Sequence, residues 1–193
     1  MKSFMQVLFV VLLCSAALYK LSAQEMTGKM ESKSSSSLVK IISDDLKGTS
    51  KKLIQLADAM PSEDYGWRPE EGVRSVGEVY VHVAMSNYFI LSYLGAPMPE
   101  DLKPDSENEN VEKTITDKTE IIDLLKKSFA DAQSFLSGYT DTDFDTEVEL
   151  PFGKFTKAQL LMLTATHPHE HLGQAIAYAR TNNIVPPWSR KEN

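Results

Sequence analysis

One cysteine, Cys14, is all that the 193 residues contain. That excludes a disulfide framework, a cysteine-based zinc site and a thiol nucleophile. Basic residues are also in short supply. Twenty Lys and Arg stand against 27 Asp and Glu, for a net charge of -7. A general phosphate-binding surface needs clustered cations, so no nucleic-acid partner is expected. Nine Gly and nine Pro are too few for a collagen-like or low-complexity chain. No G-x-S-x-G elbow, phosphate loop or dinucleotide fingerprint occurs. What is present is 42% hydrophobic and 24% charged, a balance that allows one packed domain. Histidine is scarce as well, at four residues, and their placement is informative.

Residues 1–23 have the layout of a secretory signal: a basic start at Lys2, an uncharged apolar run from Phe4 to Tyr19, and small residues ending at Ala23. Cleavage is expected after Ala23 or Gln24, giving a periplasmic or secreted protein. A lipoprotein signal anchored at Cys14 is the weaker alternative, because Leu13 stands where a small residue is expected. A retained anchor is weaker still, because the apolar run is short for a span. Cleavage removes Lys2 and Lys20 but no acid, so the mature chain is two charges more negative. It also has no cysteine, so its stability must come from packing or a bound metal. No stable membrane insertion is expected after cleavage.

Residues 24–37 end in Ser34-Ser35-Ser36-Ser37 and are expected to be a flexible leader. The remaining residues, 38–193, are expected to form one helical domain. Leu38 to Met60 repeats Ile41, Ile42, Leu46, Leu53 and Leu56 at helical spacing, and Pro61 stops it. Tyr65 and Trp67 are large rings in a polar loop, expected to lid one end of the core. Ser75 and Glu78 form a capping box for a second helix, which Gly95 ends. No Asp, Glu, Lys or Arg occurs from Val79 to Pro99. His82, Ser86, Asn87 and Ser92 favour a helix buried inside a bundle over a membrane span. Ala96 to Thr114 reads as a solvated acidic crossover. Asp105, Glu107 and Glu109 alternate like calcium ligands, but Asn110 and Thr116 stand where a calcium loop needs Gly and Glu. A third helix is expected from Asp117 to Ser137, a short hairpin around Val148 to Phe155, and a fourth helix from Thr156 to Thr181. The expected class is all-α, a four-helix bundle.

Three histidines lie in the run Thr166-His167-Pro168-His169-Glu170-His171. His167 and His171 are four apart and share one helix face with Leu160, Thr164, Gln174 and Tyr178, whereas His169 points about 200 degrees away. An i, i+4 pair can place two imidazole nitrogens on one metal ion. His82, in the middle of the uncharged helix, needs a polar partner. If the second and fourth helices face each other, His82 completes a three-nitrogen site with an open position, the layout of a catalytic metal. The alternative is three satisfied core histidines and no metal. Pro168 removes a backbone donor, so a kink between His167 and His171 is expected, which would bring His169 forward as a substitute ligand. The thermolysin-like pattern is absent, because Gly173 stands where its second His would be. Gln174 is placed to orient a ligand. Glu170 is off the ligand face and so a poor general base.

Two segments, S-V-G-E-V-Y-V-H-V-A at Ser75 to Ala84 and H-P-H-E-H-L-G-Q-A-I-A-Y-A-R at His167 to Arg180, together with the tail Asn183 to Trp188, resemble the DinB-like (YfiT-type) superfamily. The resemblance covers roughly Leu38 to Ser189. It implies a four-helix bundle holding a divalent metal, often zinc or nickel, through His82, His167 and His171. It also implies a small-molecule substrate and a metal-dependent enzyme of hydrolase or thiol S-transferase type. Homodimers are common in such a family. A non-catalytic metal- or small-molecule-binding bundle is the alternative. Export weakens the thiol-transferase role, because cytosolic thiols are scarce outside the inner membrane.

Overall fold

The computed structural model describes residues 37–102 and 111–191. The expected signal segment, all of the leader but its last residue, and Asp105, Glu107 and Glu109 lie outside the described residues. Two compact units are distinguished. One comprises Met1–Leu38 with Thr140–Thr142, mostly outside the described residues. The other, Val39–Tyr139 with Asp143–Asn193, is the helical body.

Four long helices dominate it: α1 (residues 37–59), α2 (Val76–Ser92), α4 (Lys118–Gly138) and α5 (Lys157–Thr181). A four-residue helix, α3 (Val111–Thr114), precedes α4, and a hairpin of β1 (Glu147–Leu150) and β2 (Gly153–Thr156) precedes α5. Each long helix from α2 onward starts on a side-chain cap. Ser75 and Glu78 form the reciprocal box expected at α2, and Thr156 and Gln159 form another at α5. Asp117 accepts from the backbone N–H groups of Thr119 and Glu120 at the start of α4.

The core lies along the helix stripes. Leu46, Leu53 and Leu56 of α1, Tyr80 and Val83 of α2, Leu125 of α4 and Leu160 and Leu161 of α5 are essentially inaccessible. Each such aliphatic side chain contributes about 1.5–3 kcal/mol through burial. α2 packs against both α4 and α5. α1 also meets both. Ser43 and Gln133 exchange hydrogen bonds across α1 and α4, and His169 of α5 bonds to Thr49 and Asp45 of α1. Lys118 donates to the carbonyls of Asp58 and Met60, satisfying the end of α1. Tyr65 is buried as expected, tilted against Tyr80 and donating to the Ala57 carbonyl. Gly77 lets this loop approach α2 closely: a Cβ there would stand 3.0 Å from Ile121 Cδ1 and 3.3 Å from the Tyr65 carbonyl, so those neighbours would have to give by a few tenths of an ångström.

Two expectations need correction. The crossover is not wholly a solvated loop: it carries a 3₁₀ turn at Glu100–Leu102, with Leu102 buried, and the short helix α3. The apolar Leu102 and the pairing of Glu112, described below, account for this order. Helix α5 also runs unbroken through Pro168. Pro168 is buried in the helix body, and packing outweighs the loss of one backbone donor. Among the described residues, no helix is long and apolar enough to cross a membrane.

Candidate metal centre

α2 and α5 face each other, and their histidines meet there. One nitrogen from each of His82, His167 and His171 lies within 4.8 Å of the other two. The ring centroids are 4.5–5.1 Å apart. Nε2 of His167 and Nε2 of His171 are 3.2 Å apart. Pro168 has therefore not re-aimed the turn. His169 points to α1, where its Nε2 lies 2.9 Å from Asp45 Oδ2 and 2.8 Å from Thr49 Oγ1. Glu170 is exposed, and Gln174 sits beside His171. His82 is half-buried rather than fully enclosed.

The protonation pattern follows from the partners. The Arg74 carbonyl can only accept, so Tyr178 donates its hydroxyl proton there, at 3.2 Å. Tyr178 must then accept from Gln174 Nε2, at 2.9 Å. That fixes the amide, so Gln174 Oε1 faces His171 Nδ1 at 2.8 Å, and Nδ1 carries the proton. Nε2 of His171 is left with a bare lone pair. A second relay fixes His82. Its Nδ1 lies 2.6 Å from Glu112 Oε1, and the Arg74 guanidinium donates to the same carboxylate at 2.7 and 3.3 Å. Burial alone would raise the Glu112 carboxyl, but the hydrogen bonds and charges of His82 and Arg74 outweigh it and bring it down to about 2. An ionised carboxylate only accepts, so His82 Nδ1 is the donor and its Nε2 is turned away from the carboxylate. Both relays pass through Arg74, one by its backbone and one by its side chain.

These features fit a metal. The bare Nε2 lone pair of His171 converges with two further imidazoles, which is unfavourable without a shared proton or cation. Nitrogens on a tetrahedral ion with 2.0–2.1 Å bonds stand about 3.3–3.4 Å apart, close to the 3.2 Å seen between His167 and His171. A carboxylate and an amide oxygen on the far ring nitrogens are the usual outer partners of metal-binding histidines. His167 differs, because its buried Nδ1 has no hydrogen-bond partner among the described residues. Burial, and then repulsion from His171, His82 and Arg74, pushes its pKa down to about 4. Burial likewise lowers the pKa of His171, against the opposing hydrogen bond to Gln174. Both rings are therefore neutral, the ligand form, at neutral pH.

The centre is open on one side. His82, His167 and Glu112 border a cavity of about 330 Å³ that is otherwise walled by Met85, Ser86, Phe89, Ile90, Met98, Phe152 and Leu163. Glu112 and Arg74, which orient the centre, were not singled out from sequence. Glu112 lies in an acidic run that reads as solvated surface, and Arg74 in a polar loop. Only Gln174, one turn from His171, carried a legible signal.

A family model described as the DinB superfamily matches residues 45–175, more than half of the chain. No curated protein is a significant match. Several solved structures are similar. A DinB-like protein from Bacillus subtilis is 22% identical with a TM-score of 0.59, covering 78% of this chain and 99% of that one. A conserved protein from Enterococcus faecalis is 19% identical with a TM-score of 0.61, covering 73% and 94%. YfiT from Bacillus subtilis, described as a probable metal-dependent hydrolase with an unusual four-helix bundle topology, is 20% identical with a TM-score of 0.58, covering 76% and 89%. At these identities the likeness is one of fold.

Proposed function

Because the chain belongs to the DinB superfamily and brings three histidines together beside a cavity that His82 and His167 line, we propose that it is a metal-dependent enzyme. One divalent ion, zinc or nickel, would be held by His82, His167 and His171. The observation that carries this reading is the open cavity beside His82 and His167, since a purely structural centre would be closed by protein on every side. When bound, the ion would lower the pKa of a water or thiol at its open position.

The protein's own residues supply order. Arg74 holds Glu112, and Glu112 holds the proton of His82 on Nδ1. Gln174 and Tyr178 do the same for His171. With its pKa near 2, Glu112 is too weak a base to take a proton at neutral pH, so it orients rather than reacts. The apolar wall excludes water from one side of the cavity. The description of YfiT as a probable metal-dependent hydrolase supports hydrolysis as the first reaction class to test. Thiol transfer uses the same ligands and is the second.

Export belongs to the same proposal and rests on residues 1–23. Protein recovered from the cell envelope should have an intact mass that begins at Gln24 or Glu25, and a soluble species retaining Met1 would refute export. The function is tested by elemental analysis of the mature protein, followed by an ester, amide and electrophile-plus-thiol panel run beside His82→Ala. Turnover that needs both the metal and His82 is expected. A metal-loaded protein that is inert across the panel and admits no azide would instead be a binding protein.

A further inference from the structure

We propose that the cavity beside the histidines selects a small molecule with an apolar, ring-sized arm, and that Phe152 at the hairpin tip sets this selectivity. This rests on the metal reading above and adds the substrate class.

The cavity has two chemically distinct walls. His82, His167 and Glu112 form the polar one. Met85, Phe89, Ile90, Met98, Phe152 and Leu163 form the other, with Ser86 as its one hydroxyl, contributed by α2, the segment after it, the hairpin and α5. At about 330 Å³ it is at the small end of small-molecule sites. An occupant with its donor atom at the histidines must therefore lay its remaining atoms on thioether and phenyl surface. Charged or strongly hydrated arms would lose water there with only the Ser86 hydroxyl as a new partner. Two methionines and two phenylalanines suit a flat or branched apolar group.

Phe152 is placed for this role by the fold. The hairpin register pairs Leu150 with Gly153, leaving Pro151 and Phe152 as the two-residue tip. Gly153 has φ +146°, a conformation other residues rarely adopt, so the tight turn depends on it. Behind the tip, Leu150 is buried with Ile90 and Leu160, and Val148 and Phe155 pack on the same cluster. The tip is thus anchored to α2 and α5 while the Phe152 ring itself remains 61% exposed. That ring stands 6.2 Å from Phe89 and 5.5 Å from Phe155, forming an aromatic edge to the cavity. Its exposed face is available to an occupant, and folding alone does not require a phenyl there.

The test uses cobalt-substituted full-length mature protein and two thiols with the same donor atom, ethanethiol and benzyl mercaptan. Dissociation constants are read from the cobalt absorption bands. Benzyl mercaptan should bind about tenfold or more tightly than ethanethiol. Phe152→Ala should remove most of that ratio, lowering benzyl mercaptan affinity far more than ethanethiol affinity, with the far-UV circular dichroism unchanged. Met98→Ala should reduce the ratio less. Met162→Ala, at an exposed site that does not line the cavity, should leave it intact. Equal affinities for the two thiols, or a preference for benzyl mercaptan that survives Phe152→Ala, would overturn the assignment of this wall. An equal loss of affinity for both thiols in Phe152→Ala would also overturn the selectivity role. Absence of any cobalt bands before thiol is added would overturn the metal reading, and this inference with it.

Discussion

His169 and His171 are two residues apart on α5 and live in opposite chemistries. His171 faces α2, is buried, and has its Nδ1 proton tied to Gln174 and its Nε2 aimed at His167. His169 faces α1 and bonds to Thr49 and Asp45 at the protein surface. What separates the proposed ligand from a helix clamp is what surrounds the ring. The α2 side withholds acceptors from Nε2 and supplies them to Nδ1, whereas the α1 side offers Nε2 a hydroxyl and a carboxylate at once. One nitrogen is thus left for a cation and the other is already engaged.

The largest expected effect breaks that contrast directly. His171→Ala should abolish stoichiometric metal after dialysis, and His169→Ala should retain one ion per chain, both read by elemental analysis. Two imidazoles and an open cavity hold an ion far less tightly than three. If His169→Ala strips the ion and His167→Ala does not, the two faces of α5 have been assigned the wrong way round.

Glu112 tests the outer partner of the centre. Glu112→Ala leaves His82 Nδ1 without its acceptor and frees the Arg74 guanidinium. Affinity for zinc, measured by competition with a chromophoric chelator, should fall about 10–100-fold, the usual loss when such a partner is removed. Asp45→Ala, which removes the corresponding carboxylate from His169, should leave zinc affinity unchanged. Equal losses from the two would mean that net charge, not orientation, governs binding.

The two faces of α5 were not equally legible in the sequence. A 3.6-residue period places Leu160, Thr164, His167, His171, Gln174 and Tyr178 on one face, and burial follows that stripe closely. The capping box could be seen at Ser75–Glu78, whereas the one at Thr156–Gln159 was not singled out. His82 was marked by its uncharged surroundings. The partners were hidden for physical reasons. Glu112 is 30 residues from His82 and sits on a single helical turn, too short to show a period. Thr49 and Asp45 are more than a hundred residues from His169 and look like ordinary surface residues of α1. Pro168 suggested a kink because local rules count one lost donor, whereas the structure adds the packing that holds the helix straight enough to pair His167 with His171.

Acid should sharpen the contrast from the side of the centre. The folded-state pKa of His167 is lowered to about 4 from 6.5. Between those values the unfolded chain binds the proton and the folded chain does not. Stability of the metal-free protein contributed by this ring is therefore present above pH 6.5 and falls as pH drops toward 4. Bound metal excludes the proton from the ring and should deepen the dependence. Thermal midpoints taken from pH 7 to 4 should decline in metal-free protein and decline less in His167→Ala. The same slope in both would show that other groups carry the acid sensitivity. Protonation of any of the three rings competes with the ion, so metal should also be released as the pH falls.

The smallest effect is expected on the clamp side. His169→Ala removes bonds to Thr49 and Asp45, but neither partner is stranded. The Thr49 hydroxyl keeps its own bond to the Asp45 carbonyl at 3.2 Å, and the Asp45 carboxylate remains half open to water. No buried polar group is orphaned, so the large penalty of an unsatisfied donor or acceptor does not apply. The loss is that of a half-exposed hydrogen-bonded pair, about 0.5–1 kcal/mol. Urea unfolding should show a small fall in midpoint with an unchanged slope. A loss above about 3 kcal/mol, or one that disappears when metal is added in excess, would mean that the α1 face of α5 is coupled to the centre after all, and the division between clamp and ligand would have to be abandoned.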